Sequence, residues 1–311
     1  MRVSLPSFQP PVFKLQWVSL LLLIAFIFAT RNAHAQSLGY EGPTGVFVTP
    51  LAYTSASPAN GLGKPSVSYH FLAGGPVIGD FSTISVTEGF GKRFEAGFTS
   101  EIHAGADPTG LWASDFGIVH GKATLVAENA GKTKWVPAIA VGGIFRFNDN
   151  DAYDGTNATT ASLKLGQTTR NGDLYVVATK VITQIDKKVP VLVNAGLRGT
   201  NSSLWGLGGN APNFSARGFG ALALVFTGPN KSAIIVGSEI SQQPQQIKAG
   251  PGSALDIPTS EVYAVRIVPS PKYKLNLDAG ILHAGGNVSG GGAAVNLNAR
   301  ARVAFGLSWG F

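Results

Sequence analysis

Three short stretches of this chain carry the letters of familiar chemistry. Gly306-Leu307-Ser308-Trp309-Gly310 has the Gly-x-Ser-x-Gly spacing of a serine nucleophile. That motif serves acyl transfer from a strained strand-to-helix turn, with a histidine and an acid in reach. Gly131-Lys132-Thr133 ends like a phosphate loop, whose backbone N–H groups wrap a phosphate ahead of a helix. Residues 148–155 (NDNDAYDG) bunch carboxylates as a calcium loop does. His70, His103, His120 and His283 could each ligate a metal or move a proton.

Context removes each reading. Ser308 lies inside an unbroken alternation of apolar and small residues, which leaves no room for a strained turn. Val126 stands where a phosphate loop needs its leading glycine, and no helix pattern follows Thr133. Ala152 takes the third ligand position of the calcium loop. The histidines share no metal-ligand spacing. The expectation is a protein with no catalytic set, no metal and no cofactor.

The strand around Ser308 is more informative. Val295, Leu297, Ala299, Ala301, Val303, Phe305, Leu307, Trp309 and Phe311 fill every odd position, with polar or small residues between them. Successive strand side chains point to opposite faces, so one face is wholly apolar. The run also exceeds the usual soluble strand of about five or six residues. Its last residues, Phe305, Leu307, Trp309 and the terminal Phe311, resemble the assembly signal of bacterial outer-membrane barrels. That resemblance implies recognition by a barrel-assembly machinery and a lipid environment.

At the other end, residues 15–29 (LQWVSLLLLIAFIFA) form an uncharged core after Arg2 and Lys14, followed by Ala33-His34-Ala35. Basic flank, apolar core and small-x-small site are the order of a secretory signal, with cleavage expected after Ala35. Losing Arg2, Lys14 and Arg31 lowers the formal charge of +7 by three, to +4. The basic balance therefore overstates any affinity for nucleic acid, and none is expected. Forty glycines, 13% charged residues and no cysteine describe a β-rich chain without a disulfide scaffold. Membrane barrels have this profile, because only alternate residues meet lipid.

Twelve strands are expected, near 65–73, 79–89, 93–102, 114–128, 135–147, 172–185, 189–200, 216–227, 232–242, 259–268, 272–284 and 295–311. Ten to fourteen fit the same pattern. Tight turns alternate with long loops at 103–113, 148–171, 201–215, 243–258 and 285–294. That rhythm belongs to outer-membrane barrels, whose short side is periplasmic. An even count places both termini on that side. The fold class is all-β: a transmembrane antiparallel barrel over 65–311, after a signal over 1–35 and a Gly/Pro-rich segment over 36–64. Tyr263, Tyr273, Trp135, Phe145, Phe147, Tyr175, Trp309 and Phe311 fall near strand ends, where aromatic girdles belong.

Charges on the lipid face cost about 2–4 kcal/mol at the midplane, so parity should sort them inward. Lumen candidates are Arg146, Lys180, Arg198, Arg266, Asp278, Arg300 and Arg302, joined by Arg93, Glu95, Glu101, Lys122, Glu239 and Lys274. Nine basic against four acidic groups would favour anions weakly. Asp278 is also placed to pair with Arg300 or Arg302 across neighbouring strands.

The Gly42-x-x-Gly45-x-x-x-Thr49-Pro50-x-Ala52 pattern, running into GKPSVSYHF, resembles the start of YjbH-like exopolysaccharide-associated outer-membrane proteins. The stretches DLYVVATKVI and VLVNAGLRGTNSSLWGLGG are similar to an uncharacterised family of outer-membrane proteins, a domain of unknown function. Together these resemblances imply location in a Gram-negative-type outer membrane and an envelope-polysaccharide context. Segment 36–64 could enter the bore as a plug or lie outside as a periplasmic tail. A pore or transporter for small hydrophilic solutes ranks first. A scaffold or polysaccharide-export factor with periplasmic partners follows. An outer-membrane hydrolase ranks last.

Overall fold

The alternation expected from sequence closes into a barrel. The computed structural model describes residues 37–75, 79–104, 115–147, 170–186, 188–202, 204–206, 210–244, 254–290, 293–296 and 299–311. The first six strands are β1 (Ser66–Ala73), β2 (Asp80–Phe90), β3 (Phe94–Ala104), β4 (Phe116–Val126), β5 (Ala138–Phe147) and β6 (Arg170–Ile182). Next come β7 (Val191–Ser202), β8 (Asn210–Thr227), β9 (Ala233–Gln242), β10 (Ala254–Val268) and β11 (Leu275–Gly290). β12 (Ala293–Asn296) and β13 (Ala299–Gly310) complete the set. Both pair with β11, at Gly290↔Ala293 and Leu275↔Trp309, so they are two parts of one stave. Counting β12 and β13 as one stave, every stave pairs antiparallel with its chain neighbour, and β1 pairs with β13. Twelve staves therefore close without an exposed edge, which satisfies the backbone groups internally. Apart from Phe311, the described residues fall in a single compact unit within Ala33–Gly310.

Side-chain parity follows the pleat. Leu174 (67% exposed), Leu197 (60%) and Val303 (58%) are typical of the outer set. Phe98, Val119, Val141, Ile240, Val265 and Phe305 are likewise exposed. Phe90, Phe94, Trp135, Tyr273 and Trp309 mark the end that carries the tight turns. The inner set is polar: Ser68, Thr83, Thr99, Lys122, Thr179, Glu239 and Asp278 are all buried.

Several expectations change in detail. The Gly-rich stretch 285–294 is mostly strand, since β11 runs to Gly290 and β12 starts at Ala293. Between β7 and β8 the chain is far from a long loop. β8 starts at Asn210, and Leu204–Gly206 makes a helical turn that buries Trp205. Trp135 precedes β5 and stands exposed in a turn. Tyr175, expected in a girdle, shares parity with the buried Val177 and Thr179 and packs edge-on against Phe219 inside.

The segment before β1 fills the interior. Leu38↔Thr44 and Gly45↔Pro50 bridges fold residues 38–50 on themselves, and Leu62↔Phe90 pins the segment's far end to β2. Gly42 turns the tip with φ 101°, and a Cβ there would meet Thr99 Oγ1 at 2.5 Å and His120 at 2.7 Å. Only glycine fits both the backbone angle and the space. Tyr40, Phe47 and Val48 join Leu72, Phe81, Leu282 and Trp205 in an apolar cluster across the bore. A twelve-strand barrel encloses more room than inner side chains alone can fill, and this segment takes it up.

Candidate functional site

The interior is built from wall groups that reach the main chain of this inner segment. Glu239 of β9 accepts N–H bonds from Phe47 (2.6 Å), Val48 (3.0 Å) and Thr49 (2.6 Å), and the Thr49 hydroxyl donates at 2.7 Å. Glu95 of β3 accepts from Thr44 N at 2.9 Å, Thr44 Oγ1 at 2.6 Å and Ser55 N at 2.7 Å. Three donors on one buried carboxylate offset its lost hydration, which is how such a charge survives indoors.

Cations serve the carbonyls. Lys122 of β4 donates to the Thr44 carbonyl at 2.8 Å while pairing with Glu95 at 2.9 Å. Arg266 of β10 donates to the Gly45 and Val46 carbonyls at 3.1 and 2.6 Å and pairs with Asp278 at 2.6 Å. Thr83, Thr87 and Thr99 donate to the carbonyls of Tyr40, Gly42 and Glu41. The Thr179 hydroxyl accepts from Ala52 N, and Asn194 donates to the Pro50 carbonyl. The spaced residues Gly42, Gly45, Thr49, Pro50 and Ala52 are thus among those the wall holds, with Tyr40, Glu41, Thr44, Val46, Phe47, Val48 and Ser55 between and beside them.

Arg146 of β5 is fully buried and spends its guanidinium on four partners. Its contacts are Glu41 (2.5 Å), Asp173 (2.8 Å), Asn171 (3.2 Å) and Ser202 (2.6 Å). Arg198 of β7 lies 3.7 Å from Asp173 and donates to Ser241 at 2.5 Å. Arg217 of β8, directly opposite Arg198 in the register, extends this basic stretch. The sequence reading omitted Arg217, Glu41 and Asp173. Parity alone could have found Arg217 and Asp173, which alternate with Phe219 and Tyr175.

Of the expected lumen residues, Arg146, Arg198, Arg266 and Asp278 lie on the inner face. Arg302 shares the inner parity of Ala304, with its guanidinium against Gly75. The side chain of Arg300 lies outside the described residues. Asp278 pairs with Arg266 and with neither Arg300 nor Arg302 among the described contacts. Lys180 needs correction. Thr179 points inward, so Lys180 belongs to the outer set, and its ammonium bends to Glu128 at 2.7 Å and Asn129 at 3.0 Å by the rim. Arg93 and Lys274 stand in turns. On the described strands the inner charges are Lys122, Arg146, Arg198, Arg217, Arg266 and Arg302, against Glu95, Glu101, Asp173, Glu239 and Asp278. The large basic excess disappears.

At the rim, Glu128 accepts from Lys180, from the Val181 N–H at 2.8 Å and from the Tyr53 hydroxyl at 2.9 Å. Burial pushes its carboxyl up, and these three donors outweigh that, holding it below the ordinary carboxylate range.

The suspected motifs carry no chemistry in place. Ser308 is buried mid-strand opposite Ser68 and Asn276, with no partner for its hydroxyl. Gly131 and Lys132 form an exposed turn with no α-helix after it. Residues 148–155 lie outside the described residues. Among the described residues no three His, Asp or Glu side chains group as a metal site.

No family model matches the chain, and no curated protein does. One similar solved structure is titled "NanC porin structure in rhombohedral crystal form". It has a TM-score of 0.41 and 8% identity, over 78% of this chain and 97% of that chain.

Proposed function

We propose that this chain is a gated outer-membrane pore, a transmembrane barrel whose bore is closed by its own segment 36–64. The observation that carries the membrane reading is the outer face. It is apolar around the twelve staves, exposed on β2 through β11 and on β13 and half-buried on β1, and charged members such as Glu88 and Lys180 lie near strand ends, while Glu261 of β10 is met by the Tyr263 hydroxyl. Most staves have ten or more residues, against about nine to eleven needed to cross a bilayer. An apolar band of that height on a closed sheet suits lipid. Export through a signal over 1–35, assembly through Phe305, Leu307, Trp309 and Phe311, and periplasmic termini belong to the same reading.

The pore half rests on how the bore is filled. Besides the apolar cluster around Phe47, this segment is held by many hydrogen bonds to the wall, which water can replace. Small hydrophilic solutes are the class such a wall suits. Planar-bilayer recording tests it: the full chain should conduct rarely, and a variant lacking 37–63 should conduct steadily. Silence in both would sink the pore.

The filled bore also favours a second reading, a closed scaffold for envelope or exopolysaccharide export with periplasmic partners. Its support is that the wall-bound Gly42–Ala52 pattern resembles the start of YjbH-like proteins. Co-purification of a periplasmic partner, lost when that pattern is changed, would favour it.

A further inference from the structure

The inner segment is fastened on one side only. Its hydrogen bonds go to β2–β7, β9 and β10, and among the described residues none goes to β1, β11 or β13. β8 also makes none, but its inner face is largely apolar there, with Phe219, Ala221 and Ala223. The β11–β13–β1 seam is different because only its Leu72, Leu282 and Ala304 part packs on Tyr40, Phe47 and Val48, while towards the tight-turn end its inner face is polar. Asn276, Ser308 and Ser68 form one cross-strand row. His70 and Asp278 flank Gly306 in the next row. All are buried, and Ser68 Oγ, Ser308 Oγ, Asn276 Nδ2 and both ring nitrogens of His70 have no hydrogen-bond partner. The Leu38 main chain comes near His70 without bond geometry. Phe47 instead meets the imidazole edge-on at 5.3 Å.

A polar wall is therefore covered by an apolar face of the segment. Each buried group without a partner costs free energy that water would return. On the fastened side, separation breaks charge-assisted bonds. On the seam side it uncovers the Tyr40, Phe47 and Val48 cluster and hydrates four orphaned side chains, and orphaned atoms such as the Glu101 carboxylate and His120 Nδ1 occur on the fastened wall too. What sets the seam apart is that separation there breaks no charge-assisted bond of the segment.

We propose that the solute path opens along the β11–β13–β1 seam, lined by Ser68, His70, Asn276 and Ser308, while the segment stays anchored to the opposite wall. This rests on the pore reading and adds where the pore lies. A passage lined by hydroxyl, amide and imidazole groups takes uncharged or weakly charged hydrophilic solutes, such as sugars, by exchanging their hydration for wall hydrogen bonds.

The chain has no native cysteine, so introduced thiols report singly. Two pairs would be joined by a short thiol cross-linker and recorded in bilayers: Phe47→Cys with His70→Cys across the seam, and Ala52→Cys with Thr179→Cys on the fastened side. The proposal expects the seam cross-link to cut open probability at least ten-fold and the other to leave it near that of the parent. Equal effects, or the reverse, would overturn it. In parallel, Ser68→Cys should react with a small water-soluble thiol reagent at least ten-fold faster than Ala140→Cys, a buried position on the fastened wall. Equal rates would overturn the seam even if no variant conducts. Silence of the chain lacking 37–63 would instead remove the pore reading itself.

Discussion

Arg146 and Glu41 join the wall to the inner segment through a forked contact to a single oxygen, with Nε and Nη2 both 2.5 Å from Glu41 Oε1. The same guanidinium holds Asp173 at 2.8 Å. One buried cation thus serves one carboxylate from the segment and one from the sheet. Removing it strands Glu41 and leaves Asp173 with Arg198 alone, 3.7 Å away, and breaking a buried pair costs about 3–5 kcal/mol.

Arg146→Met should therefore lower barrel stability by about that amount, whereas Glu41→Gln leaves Arg146 paired with Asp173 and should cost about 1–2 kcal/mol. Arg146→Lys should resemble the Met variant, since an ammonium cannot span four partners in one plane. Unfolding midpoints in urea, read by heat-modified gel mobility, give the order. Equal losses for Arg146→Met and Glu41→Gln would show that the pair acts no more strongly than its segment end alone.

Lipid exposure is checked by depth. Val176 lies midway along β6 and Phe90 ends β2, both on the outer face. Val176→Arg should cost about 2–4 kcal/mol and Phe90→Arg about 0–1 kcal/mol, because the penalty falls towards the interface. Folded yield in bilayers of fixed thickness is the readout. A soluble, stable Val176→Arg barrel would contradict the membrane assignment.

How far the sequence revealed this follows from period two. The twelve staves are legible because each alternates over much of its length, β13 most clearly from Val303 to Trp309. Lys180 was misplaced because charge was allowed to outvote parity. Near a strand end a long stem reaches the rim from the outer face, and Glu128 of the turn between β4 and β5 meets it there. The segment's path through the bore was invisible, because Gly and Pro leave no period to read. Its partners come from staves as distant in sequence as β3 and β9. Which inner charges meet depends on stagger between staves, so Asp278 found Arg266 on one neighbour and not Arg302 on the other.

The rim cluster yields a pH dependence. Glu128 has its folded value depressed, so its bonds to Tyr53 and Lys180 stabilise the docked segment above the ordinary carboxylate range. That contribution is lost as pH falls through the depressed value. Protease access to residues 53–63 should rise on acidification below about pH 4. Glu128→Gln should make access high and less dependent on pH. An unchanged acid profile in that variant would assign the effect elsewhere.

The proposed assembly signal puts a separate demand on Phe311. Deleting it should reduce folded yield several-fold without altering the proposed cleavage after Ala35. A single interfacial side chain is worth only about 0–1 kcal/mol of lipid transfer, so a larger loss would support recognition by an assembly machinery. Quantitative recovery of folded barrel from the truncated chain would make the terminal aromatic incidental.

Ion selectivity tests the inner charges. With Glu41 in place, Arg146, Arg198 and Arg217 face Glu41 and Asp173, three positive groups against two negative. Without residues 37–63 the same stretch holds three against one. The shortened barrel should then prefer anions, more so at low salt, where the screening length reaches about 30 Å. Arg198→Gln with Arg217→Gln should bring the reversal potential back towards zero while the barrel still folds, since Arg146 keeps Asp173. Cation preference in the shortened barrel would mean that charges outside this arginine stretch, at the loops or mouth, control the field.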